Sequence, residues 1–367
     1  MRRVAERGEV VKMLVLEADE RLYVGLDVHK HTYHVAVWSD RRRLLKTWIM
    51  PADAEALCRK LEPWRAQVVQ VVYEAGPTGY SLVRKLRATR FRADVIAPSK
   101  LPKPAVPQAK SDRIDCRRLA ELAAKNMLYP VMVPDEEEEA DRQVVRLRGQ
   151  LLRRSRAVRQ QIKSLLLQHG IAEPAGLAHW SQESLRELRA LELRSELRFS
   201  LDVLQDELEH VIAQLVRVTA QIREMEQSDR HRADVSTLRT IPGVGLITAM
   251  TFKTELLAPE RFRDTREVAL MLGLAPQVEE SGQTRREGRL APSGNRRLRA
   301  ALVEGAWCWV RRDPEAAARY RRLAFTTASP KKAIVGMARK LGIIMWRMLT
   351  NGEKYRGFKA KEPARAG

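Results

Sequence analysis

In LYVGLDVHKHTYHVAVWSDRRRLLKTWIMP, residues 22–51, three short runs rich in Val, Leu, Tyr and Trp are separated by turn-like polar residues. Branched and aromatic side chains in partial two-residue alternation favour a pleated backbone, so 22–29, 32–39 and 43–51 are expected to form three antiparallel strands. Downstream, DAEALCRKLEPW (53–64) carries apolar residues at helical spacing, with Asp53 placed to cap the first turn. VVQVVYEAG (68–76) is a nearly continuous apolar run that stops at Glu74 and a Gly-Pro-Thr-Gly turn, the pattern of a buried strand. A helix at 80–90, a strand at 93–99 and a helix at 111–126 with Ser111 as its expected N-cap complete the series.

The resulting order, βββαβαβα, is that of the ribonuclease H-like fold. The 367 residues leave room for two or three domains. With 44% hydrophobic and 31% charged residues the chain has globular composition. Its 67 Lys+Arg against 46 Asp+Glu leave a net charge of +21. Such an excess on a globular chain points to a polyanion, most simply nucleic acid, because each neutralised phosphate releases counterions. Cys58, Cys116 and Cys308 form no CxxC pair, so neither a disulfide framework nor a thiolate zinc site is expected, and a reducing cytoplasm fits. No apolar stretch reaches the roughly 18–20 residues of a membrane helix, and the first twenty residues lack a signal peptide's apolar core.

Beyond Pro134 the composition changes. Residues 135–141 hold six acids, and 142–165 hold eight Arg or Lys and no acid. Val144, Leu147, Leu151, Val158, Ile162 and Leu165 fall mostly at three/four spacing, an amphipathic helix with a basic back. Leu201, Leu204, Leu208, Val211, Leu215, Val218, Ile222 and Met225 alternate steps of three and four, a heptad seam. The two helices pair either as a hairpin within one chain or between chains. LRTIPGVGLITAMTFKTEL (238–256) places Pro and two Gly between apolar helical stretches, a helix-hairpin-helix logic in which backbone amides approach a phosphate, or else an ordinary packing corner. A helix at 266–276, an irregular polar stretch at 277–295, and helices over 296–309 and 331–350 follow.

Four acids stand where metal chemistry in a ribonuclease H-like fold needs them. Asp27 lies in the first strand, Glu74 ends the fourth, and Asp112 and Asp115 open the last helix of the first domain. Their convergence would suit two divalent ions, since hard oxygen ligands select Mg²⁺ or Mn²⁺. His29, His31 and His34 are expected at the surface or on phosphate, with His29 and His31 on one strand face and His34 on the other. Residues 285–299 hold six Arg and one Glu beside Ser281. A serine among guanidinium groups can attack phosphate, but the residues alone favour a loop serine among solvated charges and do not prefer Ser281 over Thr284 or Ser293.

GLDVHK (25–30), YEAGPTGY (73–80) and KSDRIDCRRLAEL (110–122), with IPGVGLITA (241–249), LGLAPQVEESG (272–282), GNRRLRAALVEGAW (294–307) and KKAIVGMARKLGIIMWRML (331–349), resemble the DEDD transposases of the IS110 insertion-sequence family, which includes Piv-type DNA invertases. The resemblance spans about residues 20–355. It implies a RuvC-like domain whose Asp27, Glu74, Asp112 and Asp115 bind Mg²⁺, and a C-terminal domain whose Ser281 attacks DNA and forms a phosphoserine intermediate. It further implies a structured noncoding bridge RNA that guides donor and target DNA, with sequence reading delegated to base pairing.

The expected architecture is α/β plus α: an N-terminal extension (1–20), a RuvC-like domain (21–134), a helical coiled-coil arm (135–232), a mostly helical C-terminal domain (233–354) and a flexible tail (355–367). Arg146, Arg153, Arg154, Arg156, Arg285, Arg286, Arg289, Arg296 and Arg297 are the expected nucleic-acid contacts. A dimer or tetramer is expected because recombination joins four DNA ends, with the seam at 201–225 as its assembly element. The expected location is the bacterial cytoplasm, on the nucleoid and not in a membrane. The rival readings are a RuvC-like junction resolvase that activates water, and a non-catalytic basic scaffold.

Overall fold

Strands β1 (Leu22–Val28), β2 (Thr32–Ser39) and β3 (Arg43–Pro51) form where the branched and aromatic runs stand. Helix α1 (Ala54–Leu61), strand β4 (Val68–Glu74), helix α2 (Ser81–Ala88), strand β5 (Ala93–Ile96) and helix α3 (Asp112–Ala124) follow. The computed structural model describes residues 16–17, 19–101, 112–281, 284–290 and 294–357. Ser111, the expected cap of α3, lies outside them. The chain divides into two units, Met1–Val133 and Pro134–Gly367.

In the first unit the sheet order is β3-β2-β1-β4-β5. β1 pairs antiparallel with β2 and parallel with β4, and β5 runs parallel to β4. Strand alternation splits the side chains between two faces. Leu22, Val24, Leu26, Val71 and Tyr73 pack with Leu57, Leu61, Val83 and Leu86 of α1 and α2. Asp53 starts α1 as expected, its carboxylate accepting from the backbone N–H groups of Glu55 and Ala56.

Helix α3 covers the other face. It packs Cys116 and Ala120 against Ala36, and Leu119 and Ala123 against Val72 and Ile96. Gly25 makes this approach possible: a Cβ there would overlap the Cys116 carbonyl oxygen and lie 2.6 Å from the Ala120 nitrogen. Since the helix descends from Cys116 beside Gly25 to Leu119 and Ala123 beside Tyr23, its N-terminus lies toward the C-terminal end of β1.

The second unit opens with α4 (Glu136–Gln168), α5 (Gln182–Ala190) and α6 (Ser195–Glu226). The acid run fits the start of α4: Asp135 and Glu138 form a capping box, and four Glu residues occupy the first turn beside the positive end of the helix dipole. α4 and α6 pair as an antiparallel hairpin within the chain. Leu201 and Leu208 pack with Val158, Ile162 and Leu166 at one end, and Ile222 joins the core that holds Val145 at the other. Much of the 201–225 seam is therefore buried against α4 of the same chain, and the large apolar residues of α6 that stay exposed are Phe199, Val203 and Val216.

The body comprises α7 (Arg232–Leu238), α8 (Leu246–Leu256), α9 (Thr265–Met271), β6 (Pro276–Ser281), β7 (Thr284–Leu290), α10 (Arg296–Arg312), α11 (Pro314–Thr327) and α12 (Pro330–Asn351). The Pro/Gly corner between α7 and α8 packs against α10. Gly243 has φ +91°, and a Cβ there would lie 2.6 Å from the Cys308 carbonyl carbon and 2.7 Å from the Trp309 nitrogen. Residues 277–290, expected to be irregular, form most of a β-hairpin instead. Its register sets Glu279 against Arg286 and Glu280 against Arg285. Tyr355, expected in a mobile tail, donates through its hydroxyl to Asp313 at 2.7 Å, and its backbone N–H donates to Thr240.

Candidate active site and nucleic-acid interface

In the first unit, β1 and β4 end side by side. Their last paired residues are Leu26 and Tyr73, so Asp27 and Glu74 are the next residues along two neighbouring parallel strands. Alternation puts both on the face of Gly25 and Val72, the face that α3 covers. Asp115 lies in the first turn of α3, at the end that points toward Asp27, and is half-buried. Asp112 is the first residue of that helix, but its side chain lies outside the described ones. The fold therefore brings the strand ends and the helix start to one edge. Among the described residues, no three His, Cys, Asp or Glu side chains are grouped closely enough to hold a metal.

The chemistry of the edge suits a hard ion. Burial, and then the Asp27 charge, push the Cys116 thiol up to about 11, so it is neutral at pH 7 and offers no thiolate. Oxygen donors remain, and these fit Mg²⁺ or Mn²⁺ better than a soft metal.

Sequence spacing missed the surroundings of Asp27. The β1–β2 turn brings His34 back directly opposite Asp27 on the same face, so the expected separation of His34 from His29 is overturned. The rings of His29 and His34 meet edge to face at 5.7 Å, and Nε2 of His29 stands 3.2 Å from Oδ2 of Asp27. His29 and His31 are exposed and His34 is half-buried. A ring that orients a metal-binding carboxylate typically matters about 10-fold or more to metal affinity. On the expectation that Asp27 holds Mg²⁺ for DNA cleavage, His29→Ala should raise the Mg²⁺ concentration for half-maximal cleavage about 10-fold. An unchanged Mg²⁺ titration would remove His29 from the site.

In the second unit, Ser281 ends β6 and pairs with Thr284, at the distal end of the hairpin from Pro276 and Leu290. The side chains of Ser281, Arg285, Arg286 and Arg289 lie outside the described ones. The foot of the hairpin is tied down by a buried polar cluster. Glu255, 1% exposed, accepts two bonds from Arg146 at 2.7 and 2.8 Å and one from the Asn295 side chain at 2.7 Å. Asn295 in turn caps α10, accepting from the N–H groups of Arg297 and Leu298, and its own N–H donates to the Met271 carbonyl. The readable signal was a carboxylate inside the apolar helix LITAMTFKTEL.

Arg146, one of the expected nucleic-acid contacts, is thus bonded into the internal framework. Arg154 bonds Glu207 at 2.9 Å and Arg156 stands 4.0 Å from Glu304, while Arg153 and Arg296 are exposed. Burial, and then the Arg146 charge, lower the pKa of Arg297.

Burial raises the Glu255 pKa, but the Arg146 bonds and charge and the Asn295 bond outweigh it and hold the carboxyl below its ordinary range. A lowered folded-state value means that its stabilisation is present above the unfolded pKa and is lost as pH falls through the folded one. Glu255→Ala leaves its arginines uncompensated and is expected to cost about 3 kcal/mol. Urea unfolding at pH 7 checks this, and a loss near zero would show the cluster to be peripheral.

Comparison with known proteins gives two family matches. Residues 24–171 match the DEDD transposase family model, and residues 235–321 match that of the IS116/IS110/IS902 transposase family. The chain is 35% identical to a putative transposase, y4qE, of Sinorhizobium fredii over 78% of this chain and 71% of that one. It is 26% identical to a probable family 20 transposase of Pseudomonas aeruginosa, over 91% and 98% of the two chains. It is 23% identical to the transposase of insertion sequence element IS1111A of Coxiella burnetii, over 78% and 79%. Among the described residues, no helix is long and apolar enough to cross a membrane.

Proposed function

The chain belongs to the IS116/IS110/IS902 family of transposases, enzymes of insertion-sequence transposition, and from that premise we propose that it cleaves and rejoins DNA through a DEDD carboxylate site and a serine nucleophile. The observation that carries this reading is the placement of Asp27, Glu74, Asp112 and Asp115 at one edge of the first unit. Asp27, Glu74, Asp112 and Asp115 would hold Mg²⁺, which when bound neutralises developing charge on a scissile phosphate. Asp27 is oriented by His29. Ser281 attacks the phosphorus: an Oγ–P bond forms, the bond from phosphorus to a deoxyribose oxygen breaks, and that oxygen leaves with the serine proton. Attack on the phosphoserine by the hydroxyl of a second strand reverses these changes and reseals the DNA.

In this reading residues 135–232 act as the arm and 233–354 as the strand-exchange domain. Arg153, Arg154, Arg156, Arg296 and the hairpin residues Arg285, Arg286 and Arg289 face donor DNA, target DNA and a noncoding bridge RNA. A dimer or tetramer acts on the nucleoid in the cytoplasm. The test is to express the chain with its native flanking DNA, purify it at moderate salt and sequence the nucleic acid that accompanies it. A single discrete RNA mapping to the flank is expected. Heterogeneous host RNA, or none, would favour direct DNA recognition.

A further inference from the structure

Along one face of α4, Arg142, Arg146, Gly149, Arg153 and Arg156 follow one another in steps of four, three, four and three, so they form a single stripe. The stripe runs beside α10: Arg146 and Arg297 both approach Glu255, and Arg156 reaches Glu304, two helical turns beyond Arg297 on the same face. Arg142 is 7% exposed, the Arg146 side chain 28% and the Arg297 side chain 47%, so the cluster grades from buried to open. Arg142, Arg146 and Arg153 each lie within electrostatic range of Arg297, and Arg142 and Arg146 within that of Glu255.

Two further observations bear on an anion site here. The Nε of Arg142 is buried and has no hydrogen-bond partner among the described residues. A buried N–H donor without an acceptor is costly, and an anion's oxygen bonded there would remove that cost. Midway along the stripe, a methyl group on Gly149 would meet no atom within 4 Å, so space lies open between Arg146 and Arg153.

We propose that Arg142, Arg153 and Arg297, framed by the Arg146–Glu255 pair, form a binding site for a backbone phosphate of the bound nucleic acid at the foot of the Ser281 hairpin. The ligand is a phosphodiester, held by guanidinium groups that match its oxygens in pairs. The choice of a nucleic acid as its source rests on the function proposed above. The anion site rests on the side-chain cluster alone.

The full chain is tested in two ways. In the first, thermal unfolding is followed as inorganic phosphate replaces chloride at constant ionic strength. At about ten times the dissociation constant, Tm of the wild type is expected to rise roughly 2–4 °C. Gly149→Glu, which puts a carboxylate into the open space, is expected to abolish the rise. Gln161→Glu makes the same charge change away from the stripe on α4, at an exposed position, and is expected to keep it. Arg142→Gln is expected to lose the response as well. Should that variant not fold, Gly149→Glu still decides.

In the second, binding to a DNA duplex and to the co-purified or a generic structured RNA is measured against salt. Gly149→Glu is expected to lower the slope of log K against log salt by roughly one for whichever nucleic acid supplies the phosphate. No phosphate response in the wild type, or an unchanged one in Gly149→Glu, overturns the site. A phosphate response with unchanged slopes on both nucleic acids shows an adventitious ion only and overturns it too. If the wild type shows no Mg²⁺-dependent cleavage while response and slope behave as expected, the recombinase reading fails and the site stands.

Discussion

Ser281→Ala is expected to leave no covalent protein–DNA adduct and to lower strand exchange by roughly 10⁴-fold or more, the scale on which removing a nucleophile acts in covalent enzymes. Asp27→Ala is expected to be as damaging, yet by another route, since on the proposed reading it removes one oxygen ligand at the strand edge and leaves the hairpin untouched. The two variants separate the rival chemistries. A resolvase that activates water has no use for Ser281, so cleavage that persists in Ser281→Ala with no adduct in the wild type would sink the serine mechanism. Denaturing gels of labelled DNA read both outcomes. Mixing the two inactive variants adds a further result: recovered activity would show that one chain supplies the acids and another the serine.

Gly25→Ala is expected to destabilise the first unit by about 3 kcal/mol, at the upper end of what overpacking a tight contact costs. The reason is specific to this position. The added methyl meets the carbonyl of Cys116 and the nitrogen of Ala120, backbone atoms of a helix that cannot swing aside as a side chain would. Helix α3 must lift from β1, and its first turn carries Asp112 and Asp115. The Tm of the first unit is therefore expected to fall by roughly 10 °C. The Mg²⁺ requirement for cleavage should rise with it. A variant within a degree or two of wild type would mean that α3 does not sit on β1 as described.

Much of the first unit was legible beforehand because its signals are local. Branched and aromatic runs mark β1 to β3, an apolar run stopping at Glu74 marks β4, and Asp53 marks the start of α1. The acids could be assigned to strand ends and a helix start for the same reason. The face expected for His34 was wrong because a straight-strand reading ignores the turn at 29–31, which folds His34 back opposite Asp27. The hairpin at 276–290 was missed because it has few apolar residues to set a period. Its register, Glu279 with Arg286 and Glu280 with Arg285, appears only in the fold.

The sequence by itself determined that the chain is basic, that it has a βββαβαβα unit with carboxylates at chosen positions, and that long amphipathic helices follow. Those properties follow from composition and from periods of two and 3.6, which need no distant partner. Only the tertiary structure decided that the seam at 201–225 is largely covered by α4 of the same chain, and that Arg146 bonds Glu255, 109 residues away. It also left the Arg142 guanidinium buried with an unbonded Nε. A heptad seam or an arginine reads the same whether its partner lies in its own chain, in a second chain or in a nucleic acid. Packing makes that choice, because burial removes water and leaves each charge dependent on whichever group the fold sets beside it.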